Sequence, residues 1–370
     1  MIKHLRILGT RGVPAAHGGF ETFAEQLALH LVKRGWRVTV YCQETGSGPV
    51  VEDQWQGVYR VRIPVTSDGA SASILFDWYA TRHAAGHHDL CLTLGYNTAV
   101  FCALLRVRGV PNLINMDGVE WRRAKWGALA KAWFWLNDWT GCWLGNHLVA
   151  DHPEIARHLR SRGVARKTTV IAYGACQVTE APTDLLRPLG LEPGRFLSVI
   201  ARAEPENSLL EVVRGFSRCP RGLQLAILGK YESGQKYHQA VRAAAGPEVK
   251  FLGPIYDQPL VQALRFHSLA YVHGHQVGGT NPSLVEALGA GNAVLAHDNV
   301  YNRWVAGDAG IYFQGEVEFD TALTALLSDP NRLAALRQSA RERFASSFTW
   351  STVLSEYEAL LESFLPRASH

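Results

Sequence analysis

The 370-residue chain lacks several features that would settle its chemistry at once. No apolar run approaches the roughly 20 residues needed to cross a bilayer. The apolar opening Leu5-Arg6-Ile7-Leu8 is only a strand's length and turns at Gly9, so no signal peptide is expected. No CxxC pair occurs. The six cysteines (Cys42, Cys91, Cys102, Cys142, Cys176 and Cys219) are scattered, and they read as reduced, buried thiols of a cytosolic protein. The glycine-rich stretch after the first apolar run is not Gly-x-Gly-x-x-Gly, so the dinucleotide fingerprint is absent. No carboxylates cluster at metal-ligand spacing, and none of the fixed periods of repeat proteins recurs. His87-His88-Asp89 comes nearest to a metal motif. Adjacent histidines on an extended stretch point opposite ways, however, so solvated side chains are the expectation.

What is present is an ordinary globular composition, 47% hydrophobic and 19% charged, with net charge +4. The charge is uneven. Residues 1–175 hold 20 Lys/Arg against 13 Asp/Glu, and the remainder hold 17 against 20. A basic half of this kind favours anionic membrane or nucleic acid. Strand and helix signals alternate almost throughout. Leu5–Leu8 reads as a strand, Phe20, Phe23, Ala24, Leu27 and Leu31 recur at helical spacing, and Gly35 stands where that helix should stop. The proline-bearing stretch from Cys176 to Arg195 reads as a connection, after which the alternation resumes with Phe196–Ala201, Leu223–Leu228, Val249–Leu252, Leu269–His273 and Ala293–Ala296. The expected architecture is α/β: two Rossmann-like, doubly wound parallel-sheet domains facing each other across a cleft, at 1–178 and 179–350. A C-terminal helix over 351–370 is expected to pack back toward the first domain.

Five stretches carry chemistry. Gly9-Thr10-Arg11-Gly12-Val13-Pro14 and Gly18-Gly19-Phe20-Glu21 join a strand to a helix, where backbone approaches a ligand closely and a helix start favours an anion. Gly278-Gly279-Thr280-Asn281-Pro282-Ser283-Leu284-Val285-Glu286 repeats that arrangement. On spacing alone, Ser283-x-x-Glu286 reads better as a capping box than as a ligand contact. Asp117 and Glu120 follow a strand beside Arg122 and Arg123, either as a loop salt bridge or as working carboxylates. Arg202 follows the strand Leu197–Ala201, either forking onto phosphate or pairing with Glu204 or Glu206. The fifth stretch is rich in tryptophan. Trp135, Trp139 and Trp143 fall on one helical stripe expected to pack inside, whereas Trp126 and Lys125 are candidates for a membrane interface.

Taken together, these stretches resemble the retaining GT-B glycosyltransferases of family 4. Gly278–Ala287 aligns without a gap to the family's Glu-Gly-Phe-Gly-Leu-Pro-x-x-Glu-Ala signature, with Gly279, Glu286 and Ala287 identical. Phe251–Asp257 resembles the base-binding loop, which includes Ile255, and Asn299–Phe313 resembles the closing strand region. A closer resemblance is to the bacterial β-1,4-rhamnosyltransferase branch. It rests on Gly9–Pro14, Gly18–Glu21, Asn115–Trp121, Ile171–Ala175 and Gly278–Ser283 as a set.

The resemblance implies a metal-independent hexosyl transfer, from dTDP-β-L-rhamnose to a saccharide borne on a polyprenyl diphosphate, in cell-surface polysaccharide synthesis. Glu286 would hold the ribose. Gly279, Thr280, Asn281, Ser283 and Leu284 would hold the diphosphate and sugar by their backbone. Arg202, helped by Lys230, would bind phosphate, and Gly18 and Gly19 would face the donor phosphates. Asp117 stands where most members carry a histidine near the anomeric carbon, and Glu120 is a second candidate for that role. Gly278 and Asn207 also depart from the family's usual glutamate and lysine; the resemblance implies that the branch shares these departures, and they weigh against a plain UDP-glucose-type donor. No cofactor is implied, nor any nucleic acid. A cytoplasmic enzyme touching the inner leaflet of the membrane is. UDP-glucose or UDP-galactose as donor, or a non-catalytic nucleotide- or saccharide-binding protein, are the alternatives.

Overall fold

The computed structural model describes residues 3–16, 18–66, 69–123 and 125–365. The chain forms two compact units, one of Met1–Ala172 with Trp350–His370 and one of Tyr173–Thr349.

Unit 1 contains β1 (His4–Leu8), α1 (Gly19–Lys33), β2 (Arg37–Thr45), β3 (Val51–Trp55), β4 (Val58–Val65), α2 (Gly69–Ala84), β5 (Leu90–Leu94), α3 (Cys102–Val107), β6 (Asn112–Asn115), α4 (Ala128–Leu144), β7 (His147–Ala150), α5 (Pro153–Ser161) and β8 (Thr168–Val170). Unit 2 contains β9 (Phe196–Ile200), α6 (Leu209–Phe216), β10 (Gln224–Leu228), α7 (Lys236–Ala243), β11 (Val249–Gly253), α8 (Gln258–Phe266), β12 (Ala270–His273), α9 (Pro282–Gly289), β13 (Ala293–His297), α10 (Val300–Ala306), β14 (Gly310–Phe313), α11 (Glu316–Ser328) and α12 (Pro330–Ser347). The chain ends in α13 (Trp350–Glu362), which belongs to unit 1.

The sheet of unit 1 runs β3-β4-β2-β1-β5-β6-β7-β8 and that of unit 2 runs β11-β10-β9-β12-β13-β14. Every pairing is parallel except β3 with β4. The central strands are apolar on both faces because helices cover both: β5 is buried at every position, and so is β12. The antiparallel edge strand β3 had no counterpart in the sequence reading. It hinges on Gln56 and Gly57, both at positive φ (48° and 83°), the conformation a two-residue hairpin turn requires. Glu52 stands exposed on it, and Asp53 pairs with Arg60 at 2.6 Å, which puts charge on an otherwise open edge. In each sheet the chain order reverses beside one strand: between β1 and β5 in unit 1, and between β9 and β12 in unit 2. The loops after those strands stand at the carboxyl ends, where open α/β sheets bind ligands.

Helix α4 departs from expectation. Its tryptophan stripe does not pack inside: Trp135 and Trp143 are 46% and 66% exposed, and Leu129 is 90% exposed. The buried face carries Asn137, Asp138, Gly141 and Cys142 instead. Gly141 lets the helix lie against Met116 and Ala99, and Asp138 takes hydrogen bonds from Arg162 at 2.6 Å and from His158 at 3.0 Å. A satisfied buried carboxylate and a close glycine contact fix which side of the helix turns inward, and the rings of Trp135 and Trp143 are left outside, each touching the half-buried Trp139 edge to face. The cysteines are also corrected in part: four are buried, but Cys176 and Cys219 are exposed. Asp89 is no free ligand, since it accepts from Arg6 at 2.7 Å and contacts His4 at 3.0 Å.

Helix α13 is held by a buried polar cluster. Glu358 accepts from Trp36 Nε1 at 3.3 Å and Arg34 Nε at 3.2 Å, and contacts His30 Nε2 at 3.0 Å. Tyr357 lies against Phe23, with ring centroids 4.6 Å apart. Burial pushes the Glu358 carboxyl upward, but the bonds from His30, Trp36 and Arg34 outweigh it and hold the group below its usual range. The stabilisation is therefore present above the ordinary glutamate pKa and is lost as pH falls through the depressed one. Glu358→Gln is expected to cost about 1.5–3 kcal/mol at pH 7. In urea titrations at pH 7 and pH 3, the gap to the parent protein should shrink at the lower pH.

Candidate functional site

In unit 2 the site is built at the reversal between β9 and β12. Strand β9 delivers Ala201 and Arg202, and a tight loop follows. The Arg202 carbonyl accepts from Asn207 Nδ2 and from Glu204 N–H, each at 2.8 Å, and Ser208 takes a left-handed turn (φ 50°) before α6. Asn207 is 4% exposed, so the residue standing where a lysine was expected serves the loop's shape and brings no charge. The Arg202 guanidinium is exposed, and no carboxylate among the described residues pairs with it. Of the two sequence readings, the salt bridge to Glu204 or Glu206 is therefore not formed.

Strand β12 delivers the second loop. Gln276 N–H donates to the Glu206 carbonyl at 2.9 Å and its side chain to Ser208 Oγ at 3.0 Å. A Cβ on Gly274 would stand 2.2 Å from the Asn207 carbonyl oxygen, so the two loops meet where only glycine fits. The loop then runs through Gly279 and the buried Thr280 into α9. Here the capping-box reading fails. The cap is Asn281, whose Oδ1 accepts from Ser283 N–H at 3.1 Å and Ser283 Oγ at 2.9 Å, with Pro282 first in the helix. Ser283 is thus inside the helix, and Glu286 does not reach back to it. Glu286 pairs instead with Arg265 of α8, a guanidinium only 7% exposed. Leu284 points into the core at 0% exposure, leaving only its backbone for a ligand.

Two further predicted donor residues lie on neighbouring strand ends. Lys230 follows β10 and is exposed, paired with Glu232 at 2.6 Å. Ile255 follows β11, and its side chain packs on the Leu228–Val261–Leu264 cluster, while Asp257 caps α8. Arg265 and Gln276 were missed in the sequence. Arg265 lies inside α8, away from any strand end, and Gln276, although it stands in the glycine-bearing loop after β12, has no charge to advertise it.

In unit 1 the loop after β1 brings Gly9, Gly12 and Gly18 to positive φ, and Gly18 caps α1 directly before Gly19. The loop's own N–H groups are partly taken: Arg11 N–H donates to Glu21 at 3.2 Å and Ala15 N–H to Glu25 at 2.7 Å. Asp117 follows β6 at φ 50°. Its N–H donates to Asn115 Oδ1 at 2.9 Å, and Asn115 Nδ2 donates to the Tyr357 hydroxyl at 2.9 Å. Helix α13 thereby fixes the turn that carries Asp117. Burial, with Asp151 and Glu120 nearby, lifts the Asp117 carboxyl to about 7. Glu120 is more constrained. Its oxygens accept from Arg123 at 2.8 Å and Trp126 Nε1 at 3.0 Å, and its N–H donates to Tyr96 Oη at 2.8 Å. Among the described residues no three His, Cys, Asp or Glu side chains stand together to hold a metal ion.

Comparison with known proteins follows this division. Residues 2–176 match a domain of unknown function, DUF1972, and residues 202–359 match a glycosyl transferase-like domain. Two curated relatives are D-inositol 3-phosphate glycosyltransferases. The one from Rhodococcus jostii is 32% identical over 204 residues, 54% of this chain and 40% of the relative, so the match spans less than half of that protein's length. The one from Rhodococcus erythropolis is 26% identical over 94% of this chain and 86% of the relative. Among solved structures, sucrose-phosphate synthase from Thermosynechococcus elongatus superposes with TM-score 0.81 at 17% identity, covering 98% of each chain. Anabaena HepE in complex with UDP and glucose superposes at 0.76 and 14%, covering 98% of this chain and all of the other. The chain therefore has the GT-B fold of two Rossmann-like units and carries a glycosyl transferase-like domain in the second.

Proposed function

We propose that the protein is a retaining glycosyltransferase that moves a hexosyl unit, L-rhamnose from dTDP-β-L-rhamnose, onto a saccharide carried by a polyprenyl diphosphate in cell-surface polysaccharide synthesis. The observation that carries the transferase reading is the junction of the Arg202 loop with the Gly279–Glu286 loop, inside the glycosyl transferase-like segment. An exposed, unpaired guanidinium and a helix start at one strand reversal suit a diphosphate. Glu286, steadied by Arg265, suits the nucleoside's sugar hydroxyls. The rhamnose donor rests on the resemblance of the loop sequences. UDP-glucose or another UDP-hexose is the second reading, favoured by the neighbour that holds UDP and glucose.

In this reading the bond between the sugar C1 and the diphosphate oxygen breaks, and its electron pair leaves with the nucleoside diphosphate. Arg202 and the start of α9 stabilise the growing negative charge, with Lys230 in support. The acceptor hydroxyl attacks C1 on the face the diphosphate leaves, and its proton passes to a leaving phosphate oxygen. No protein nucleophile or metal takes part. Asp117 is assigned the positive charge that develops on the sugar ring. Glu120, with both oxygens engaged, is assigned to holding the Arg123 and Trp126 side chains. Gly18 and Gly19 are assigned close backbone approach to the donor phosphates.

We place the enzyme in the cytoplasm with its first unit on the inner leaflet. No helix among the described residues is long and apolar enough to cross a membrane. Helix α4 does present Leu129, Trp135, Leu136 and Trp143 to solvent, in the half of the chain that carries the positive charge.

Three outcomes follow. Arg202→Ala and Glu286→Ala should each reduce turnover, the former by roughly 100- to 1,000-fold in kcat. Nucleotide release assayed across dTDP-rhamnose and UDP-hexoses will identify the donor, and full turnover in both variants would refute the site. Asp117 is ionised above a pKa of about 7, so kcat/KM should rise with pH through that value, and Asp117→Asn should lose that limb of the profile. In vesicle flotation, a Trp135→Ser/Trp143→Ser double variant should lose binding to vesicles containing anionic lipid. Parent protein that ignores anionic lipid would remove the membrane assignment.

A further inference from the structure

Unit 1 contains a hollow of about 570 Å³, open on one side to solvent, between the loop after β1, helix α2 and the start of α4. Its walls combine aromatic surface with carboxylates. Trp126 and Phe134 meet at 5.1 Å between ring centroids, and Trp133 is anchored by its Nε1 donating to the Asn97 carbonyl at 2.8 Å. The carboxylates are Glu21, Asp77 and Glu120. Of the three, Glu120 is neutralised by Arg123, and among the described residues Glu21 receives only a backbone N–H in its hydrogen bonds. Asp77 has Thr98 Oγ1 as its hydrogen-bond donor, at 2.7 Å, and no cation among the described residues pairs with it. Burial raises the Asp77 carboxyl to about 6, so it is mostly charged at neutral pH. Arg11 is the one cationic side chain among the described lining residues, and it is exposed to solvent.

Flat aromatic faces suit the C–H face of a sugar ring, and carboxylates suit its hydroxyls. A phosphate group would be a poor occupant. It would meet carboxylates already in place, where phosphate sites offer arginine, lysine or free N–H groups. Resting on the transferase reading above, we infer that this hollow receives the acceptor's terminal sugar as an uncharged ring, away from any lipid-linked diphosphate, and rejects sugars that carry phosphate on that ring, with Asp77 setting that preference. The inference separates this chain from the relatives and neighbours whose names carry a phosphorylated sugar.

The test is an acceptor panel with the donor that the parent enzyme cleaves. Aryl and alkyl glycosides of neutral hexoses are compared with hexose 6-phosphates and inositol 3-phosphate. The neutral glycosides should exceed the phosphates at least tenfold in kcat/KM. Asp77→Asn should raise the acceptor KM more than it changes kcat and should narrow the neutral-to-phosphate ratio at least threefold. A purely structural loss at Asp77 would lower both acceptor classes alike. Nucleoside diphosphate affinity by calorimetry shows whether the variant is folded. If it is not, the parent panel decides alone. Equal or better use of a sugar phosphate by the parent enzyme overturns the inference and leaves the transferase reading standing. Nucleotide binding without cleavage of any donor overturns both.

Discussion

The hydrogen bonds from Gln276 to the 206–208 turn govern what unit 2 can do. They join the loop after β12 to the loop after β9, the two strands between which the sheet reverses direction. Without them, Arg202 and the start of α9 would be two independent surface features, each mobile and each a weak attractor of anions. With them, an unpaired guanidinium and a helix terminus keep a fixed spacing, and under the proposed function that fixed spacing is what a transition state with developing charge would exploit. Gly274 belongs to the same device, since its missing side chain is what lets the second loop rest on the Asn207 carbonyl. Asn207 itself shows the trade made here. A cation at that position would add charge toward phosphate, but the amide holds the Arg202 carbonyl and so fixes the backbone from which the exposed Arg202 guanidinium projects.

Unit 1 uses the same logic with a different anchor. Asp117 sits in a left-handed turn that a non-glycine residue adopts only when its surroundings impose it. The imposing group is Asn115, which accepts from the turn and donates to Tyr357, the buried tyrosine of the last helix. A residue from the far end of the sequence thus positions a carboxyl at the end of a central strand. Burial beside other carboxylates then shifts that carboxyl into the range where it titrates near neutrality. The neighbouring Glu120 shows what the same residue class does when satisfied, since three hydrogen bonds turn it into a brace for Arg123 and Trp126.

The sheet-and-helix architecture was legible because each strand and each helix states its own period, and those periods need no long-range information. The glycine loops were legible for a related reason: positive φ at Gly9, Gly12 and Gly18 is a local demand. Three things were not legible. Ser283-x-x-Glu286 has capping-box spacing, but Asn281 two residues earlier outcompetes it, with Pro282 setting the first turn, so Glu286 is released to Arg265. The β3 hairpin depends on a Gln-Gly turn whose first residue gives no sign of adopting positive φ. In α4, hydrophobic spacing points the tryptophans inward, and only the contacts of Asp138 with Arg162 and His158, on another helix and the loop beyond it, reverse that choice. The first two misses are local, a competing cap and an unadvertised turn, whereas the third comes from polar partners distant in sequence, which periodicity does not register.

That reversal in α4 also organises the chemistry of unit 1. Because Asp138 and Gly141 claim the inward face, the helix presents two other faces to different surroundings. Trp133 and Phe134 turn toward the hollow that contains Asp77, while Trp135, Leu136 and Trp143 turn toward solvent. Charge divides in the same way. The unit is basic as a whole, yet its hollow holds more carboxylates than cations. A uniformly basic unit would attract any polyanion, sugar phosphates included. Carboxylates placed inside leave the long-range attraction of the surface intact while making the interior inhospitable to the same charges at short range. Under the two proposals, one unit would approach an anionic surface and still select an uncharged ring, because screening and distance separate the two effects: the first acts over about 10 Å, and the second only on contact.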